Sequence, residues 1–296
     1  TIAITGGTGF IGRYIVNRLT AAGDSCRGWY RPSSDRTGFT HPSQIDWVEG
    51  NLDLPDSLGP LVEGCEAVVH AALFRHGTSF RGGEGPLDAF LETNLIGTIR
   101  LIEAARAAGV PKFVFLSTCA VHEEILDDRP LDETHPLWPR THYGAHKAAI
   151  EKFVHSFGLG MGYDICALRP SGVYGLAQPP DHSKWSELIR QVKRGETVTC
   201  TGGGKEVHAA DVAQAVQCLL NAKGTQGQSY SCCDRYVSQF EVATLAKEIT
   251  NSPSEILGEP KQPKHQIVTD KLEALGMKFG GTERLSETVS QLVEAL

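Results

Sequence analysis

Apolar and polar positions in the first half of the chain alternate between two rhythms. Short runs of apolar, β-prone residues recur at positions 2–5, 25–29, 46–49, 67–70, 112–117 and 164–168. Near-continuous runs of this kind belong to strands buried on both faces. Between them the spacing becomes helical. From Phe10 to about Ala22, Ile11, Ile15 and Leu19 stand four residues apart, with Gly23 as the stop, and helical stretches follow at 88–108 and 143–157. The alternation predicts an α/β fold, a Rossmann-type doubly wound parallel sheet with helices on both faces.

After Pro170 the rhythm changes, because loops rich in Gly and Pro such as GLAQPPDHSKW and TGGGKE interrupt it. This predicts a smaller C-terminal α/β substrate-binding part. A helix at 208–220 returns to the first domain, and a final amphipathic helix lines up Leu285, Val289, Leu292 and Leu296. The division expected is 1–170 with 206–235 for the dinucleotide-binding domain, and 171–205 with 236–296 for the substrate-binding domain.

Composition acts mainly by exclusion. With 41% hydrophobic and 21% charged residues the 296-residue chain is of globular type. A net charge of −7 removes the cationic surplus that non-specific binding to nucleic acid or anionic membranes needs, so neither is expected as a partner. The eight cysteines form no CxxC pair and no grouping with histidine at zinc-ligand spacing, so no metal is assigned. Most sit in apolar runs, as buried reduced thiols do, which points to a reducing compartment. The first residues read as a core strand rather than a signal peptide, and no apolar run nears the ~20 residues of a membrane helix. The expectation is a cytoplasmic protein.

The candidate chemistry begins with TGGTGFIG at residues 5–12, between the first strand and the first helix. Glycines there let the backbone approach a pyrophosphate whose charge is met by N–H groups at the helix N-terminus, so Gly6, Thr8, Gly9, Phe10, Ile11 and Gly12 are candidate cofactor contacts. An NAD-preferring site usually carries a carboxylate at the end of the second strand. Here the stretch is Trp29, Tyr30, Arg31, Pro32, Ser33, Ser34. Arg31 with one of the serines suits a 2′-phosphate, which favours NADP over NAD.

A second constellation lies further on. Tyr143 and Lys147 stand at i and i+4 on a predicted helix, sharing one face. A phenol with a reference pKa of about 10 becomes a usable proton shuttle when an ammonium beside it favours the phenolate. The fifth strand ends in FLSTCAVH, placing Ser117 and Thr118 at the carboxyl edge of the sheet, where ligands of open α/β sheets bind. A hydroxyl there can hold a substrate oxygen during hydride transfer.

These pieces, together with GNLD at Gly50, HAA at His70, Asn94 in TNLIGT, LRPSGVYG at Leu168 and VHAADVA at Val207, occur in one order over nearly the whole chain. In that order they resemble the extended short-chain dehydrogenase/reductase family, often called NAD-dependent epimerase/dehydratases. The resemblance implies a catalytic group of Thr118, Tyr143 and Lys147. It also implies dinucleotide contacts from Asn51 and Leu52 near the adenine, from Ala71, Ala72 and Asn94 along its path, and from Pro170 and Val173 near the nicotinamide. Many relatives dimerise through the helix of the Tyr/Lys pair and the helix before it, which implies a homodimer.

Departures from the family pattern narrow the reaction. Cys119 and Ala120 replace the Asp-Glu pair of 4,6-dehydratases, which argues against dehydration. Gly204 stands where nucleotide-sugar enzymes commonly carry a diphosphate-binding Arg, and Ser171-Gly172 replaces an apolar-Asn pair; Lys205, Arg194 or Lys193 are substitutes for the missing charge. Cys119 with His182 is considered as an epimerising acid/base pair and set below the simpler reading of a core thiol. The leading expectation is hydride transfer between a nicotinamide cofactor and a small-molecule secondary alcohol or carbonyl. A nucleotide-sugar 4-epimerase with tightly bound NAD is the runner-up, and a non-catalytic dinucleotide sensor the alternative of another class. Specificity is assigned to loops after Pro170 and to residues 76–86, whose glycines suggest a cover over the site.

Overall fold

The apolar runs form strands, and the helical spacings form helices between them. A computed structural model describes residues 1–77 and 82–296; part of the predicted cover at 76–86 thus lies outside the described residues. In chain order the elements are β1 (Ile2–Thr5), α1 (Phe10–Ala21), β2 (Cys26–Tyr30), β3 (Ile45–Glu49), α2 (Leu58–Val62), β4 (Ala67–His70), α3 (Leu87–Leu91), α4 (Gly97–Ala107), β5 (Lys112–Leu116), α5 (His142–His155) and β6 (Asp164–Pro170). They continue with β7 (Gly172–Tyr174), α6 (Ser186–Lys193), β8 (Val198–Cys200), β9 (Gly203–His208), α7 (Ala209–Asn221), β10 (Gln228–Cys232), β11 (Arg235–Ser238), α8 (Gln239–Thr250), β12 (Ile256–Gly258), α9 (Asp270–Glu273) and α10 (Gly281–Ala295).

The chain divides into two compact units. The first comprises residues 1–170, 212–232 and 268–277. Its sheet has seven strands, all parallel, in the order β10-β6-β5-β4-β1-β2-β3. Strand order reverses at β1 and β4, and in open parallel sheets the carboxyl ends at such a reversal are where ligands bind. The core beneath joins Val68, Leu101, Ile102, Phe113, Phe115, Ile150 and Ile165, all buried.

One predicted helix is interrupted. The expected run at 88–108 is divided into α3 and α4 by a wider, π-type turn at Glu92–Ile96. Within it the Asn94 side-chain amide donates to the Phe90 carbonyl one turn back, competing with the regular helical bond.

The second unit comprises residues 171–211, 233–267 and 278–296. It holds a three-stranded sheet in the order β11-β9-β7, a parallel pair β12-β8, and the packed helices α6, α8 and α10. Leu285, Val289 and Leu292 of the predicted amphipathic stripe are buried against Ile189, Val192 and Val242, and Leu296 packs at the margin.

Candidate active site

Between β1 and α1 the glycines are dictated by backbone proximity. Gly6 has φ +71°, and a Cβ there would stand 2.8 Å from the Ala71 carbonyl and the Ala72 nitrogen. At Gly12 a Cβ would meet the Gly6 carbonyl oxygen at 2.0 Å. The turn closes through Gly9 N–H to Gly6 O (3.0 Å), and α1 starts with Arg13 N–H to Gly9 O (2.9 Å). No side chain caps α1, and its first turn holds no acidic residue. The positive end of the helix dipole therefore stays unopposed beside unbonded backbone N–H groups. This glycine cradle fits a pyrophosphate, with Thr8, Phe10 and Ile11 half-buried around it.

The neighbouring strand ends complete that side of the site. Ala71 and Ala72 are anchored by N–H bonds to Thr5 O (3.2 Å) and Thr5 Oγ1 (3.1 Å). Thr5 Oγ1 also pairs with His70 Nδ1 at 2.6 Å, and His70 Nε2 with Thr98 Oγ1 at 2.8 Å. Burial, then the charge of Lys147, holds His70 neutral, its pKa pushed down to about 3. Asn94 accepts from Phe74 N–H at 2.8 Å and donates to the Phe74 carbonyl at 3.0 Å, so its amide holds the chain that leaves β4. Asn51 accepts from Asp53 N–H at 2.7 Å, and Leu52 is buried where Gly97 lets α4 come close.

Arg31 is exposed at the end of β2, in a turn closed by Ser34 N–H to Arg31 O (2.7 Å) and Arg31 N–H to Ser34 Oγ (3.0 Å). The loop is pinned by Arg13, a buried residue that sequence reasoning missed. Its guanidinium donates to the carbonyls of Thr8 (3.1 Å), Asp35 (2.6 Å) and Thr37, pairs with the Asp35 carboxylate at 3.2 Å and lies over the Phe39 ring. Asp35 also accepts from Thr37 N–H and Oγ1, and these bonds hold its carboxyl below the usual range. The first carboxylate after β2 is thus engaged in fixing the loop.

The predicted catalytic residues gather where β5 meets α5. Thr118 is extended, caps the short turn Cys119–Val121, and accepts from Ala120 N–H at 3.1 Å, which leaves its hydroxyl proton for another acceptor. Thr141 caps α5 by accepting from Gly144 N–H at 3.1 Å. Tyr143, half-buried, and Lys147, only 5% exposed, then lie one turn apart on α5. Gly144 between them is required, since a Cβ there would stand 2.6 Å from the Ala120 carbonyl oxygen; its absence lets α5 come close to the turn that follows Thr118. A glycine inside a helix is the sequence signal of such an approach.

Lys147 Nζ donates to the Leu116 carbonyl at 2.7 Å and lies 4.5 Å from the Phe115 ring centre. Burial brings its pKa down to about 7, against the attraction of Glu151. His146 is buried between the Phe90 and Tyr143 rings, both nitrogens lack a hydrogen-bond partner, and burial with the charge of Lys147 lowers it to about 3. Cys119 donates its thiol to the Arg169 carbonyl at 3.0 Å. Pro170 is buried at the end of β6, while Val173 belongs to the second unit, where it pairs with Val207. Among the described residues no His, Cys, Asp and Glu groups are placed to hold a metal ion, and no helix is long and apolar enough to cross a membrane.

Residues 2–233 match the NAD dependent epimerase/dehydratase family. Over 84% of its length the chain is 28% identical to a trifunctional UDP-glucose 4,6-dehydratase/UDP-4-keto-6-deoxy-D-glucose 3,5-epimerase/UDP-4-keto-L-rhamnose-reductase of Arabidopsis thaliana, of which it spans 38%. Tetraketide alpha-pyrone reductase 1 of the same plant is 24% identical over 99% of this chain and 95% of its own. Among solved structures, the UDP-glucose 4-epimerase of Thermus thermophilus in complex with NAD superposes with a TM-score of 0.79 at 25% identity, covering 100% of this chain and 99% of that one.

Proposed function

We infer that this chain, which belongs to the NAD dependent epimerase/dehydratase family and is an enzyme of the extended short-chain dehydrogenase type, interconverts a secondary alcohol and a carbonyl compound. The observation that carries this reading is the Lys147 ammonium, buried one helical turn from Tyr143 and beside the strand end that presents Thr118. In this reading Thr118 holds the substrate oxygen, Tyr143 exchanges its proton, and Lys147 favours the phenolate and binds the nicotinamide ribose. A nicotinamide dinucleotide on the glycine turn supplies or accepts the hydride.

The proposed cofactor contacts are those of the first unit already named, with Val173 added from the second, which serves as the substrate-binding part. NADP is favoured over NAD, because Arg31 and Ser34 stand at the β2 end and the nearest following carboxylate, Asp35, is committed to Arg13 and Thr37. A homodimer in the cytoplasm completes the proposal; eight free cysteines, six of them buried, support a reducing compartment. The second reading, a nucleotide-sugar 4-epimerase retaining NAD, is favoured by the likeness to the epimerase of known structure.

Titration of the purified protein with NADPH and NADH, followed by nicotinamide fluorescence after a check for carried-over cofactor, separates the two. Tight NADPH binding that weakens about tenfold in Arg31→Ala, with NADH unaffected, supports the reductase reading. Permanently bound NAD moves the epimerase to first place.

A further inference from the structure

One fully buried carboxylate in the first unit has no part in the roles given so far. Glu151 is 0% exposed and lies on α5 one turn beyond Lys147. Its Oε1 accepts from Ser117 Oγ at 2.5 Å and Arg169 Nε at 3.0 Å; its Oε2 accepts from Arg169 Nη2 at 2.6 Å and from Ser229 Oγ at 3.0 Å. Three strands are therefore tied to one helix: Ser117 follows β5, Arg169 is on β6, and Ser229 is on β10. The other edge of the Arg169 guanidinium reaches His122 Nε2 at 3.2 Å and the Glu133 carbonyl at 3.4 Å.

A buried ion pair is an indifferent way to stabilise a core, since desolvation offsets much of the attraction and apolar residues of equal volume often do as well. What a carboxylate saturated by directional donors adds is register and charge. Both are used here. Ser117 immediately precedes Thr118, so the Ser117–Glu151 bond fixes the strand end carrying the hydroxyl against the helix carrying the phenol and the ammonium. Around Lys147 the facing groups are His70 on β4, the Phe115 ring and Leu116 carbonyl on β5, and His146 and Glu151 on α5. His70 and His146 are neutral, and Glu151 is the anion whose attraction Lys147 experiences.

We propose that Glu151, with Arg169 as its counter-ion, is a positioning residue for the reaction: it locks the strand end of Thr118 to the helix of Tyr143 and Lys147 and supplies the negative charge that faces the Lys147 ammonium. The proposal rests on the roles assigned above to those three residues. Burial has already brought Lys147 down to about 7, and removal of the facing anion lowers it further. The fraction of the amine that is charged near pH 7 falls with it, and so does its support for the Tyr143 phenolate.

The test is a pH titration of tyrosine ring carbons by NMR, with the Tyr143 signal assigned by its loss in Tyr143→Phe. Two variants are compared with wild type: Glu151→Gln, and Glu151→Gln/Arg169→Met, which leaves no unpaired charge in the core. The double variant is expected to fold, to bind NADPH within about twofold of wild type, and to titrate Tyr143 about one pH unit higher, with the other tyrosines unmoved. A midpoint unchanged from wild type in the folded double variant overturns the positioning role. Lys147→Met run alongside separates this from the underlying reading. If that variant also leaves Tyr143 unmoved, the lysine–tyrosine coupling itself falls; if it moves Tyr143 and the Glu151 variants do not, only Glu151 is displaced.

Discussion

The carboxyl edge of the seven-stranded sheet holds two regions built in opposite ways. Around β1, β2 and α1 the candidate cofactor site is made of backbone: glycines at positions 6, 9 and 12, an uncapped helix start, and carbonyls gathered by Arg13. Around β5 and α5 the catalytic candidates are side chains, Tyr143 half-buried and Thr118 and Lys147 buried, beside two neutral histidines and a saturated carboxylate. A site made of backbone is spoiled by adding atoms, whereas one made of buried side chains is spoiled by removing atoms or changing charge.

The sharpest break between the two regions is Tyr143→Phe, which removes one oxygen from the side-chain region. Turnover should fall about a thousandfold, while NADPH affinity in the fluorescence titration stays within about twofold; joint loss of both would show that the regions are one. Acid should act on the same region. His70 and His146 are held near 3 when folded and titrate near 6.5 when unfolded, so the unfolded chain binds more protons between these values. Their contribution to stability is complete above pH 6.5 and is lost as pH falls. Together they should cost about 3 kcal/mol at pH 5.5 relative to pH 7.5, measurable by denaturant unfolding at the two pH values. A variant with both histidines replaced by Phe should lose about half of the measured dependence, because His122 and His208, held near 4 by burial, remain.

In the backbone region the matching experiment adds a single carbon. Gly12→Ala places a Cβ against the Gly6 carbonyl oxygen, and overpacking of this kind costs about 1–3 kcal/mol. NADPH binding should weaken about 10–100-fold, with kcat recovered at saturating cofactor because the corner at β5 and α5 is untouched. A fall in kcat that saturation does not restore would join the two regions again.

Much of the backbone region was legible in the sequence, because a glycine-rich turn and the periods of strand and helix are local signals. The phenol–ammonium pair was legible for the same reason: positions i and i+4 share a helical face whatever the helix packs against. Harder to read was the break at Glu92–Ile96, since a polar Asn94 inside a helical pattern reads as any other polar position until its amide is seen bonding to Phe90 and Phe74.

The sequence by itself determined the six strands of the first half and the helices at α1, α5, α7 and α10, which loop must turn on glycine, and which phenol and amine share a helical face. Local periodicity and the freedom of φ at glycine encode these features within a few residues. Tertiary structure alone decided that Asp35 serves Arg13, that Gly144 opens the approach of α5 to Ala120, that residues 268–277 join the first unit, and that Glu151 meets Ser117, Arg169 and Ser229. Such features depend on which distant groups the fold brings together, for Glu151 within a dry interior. There the cost of an unpaired charge or donor forces partners together across 78 residues of chain, as between Glu151 and Ser229.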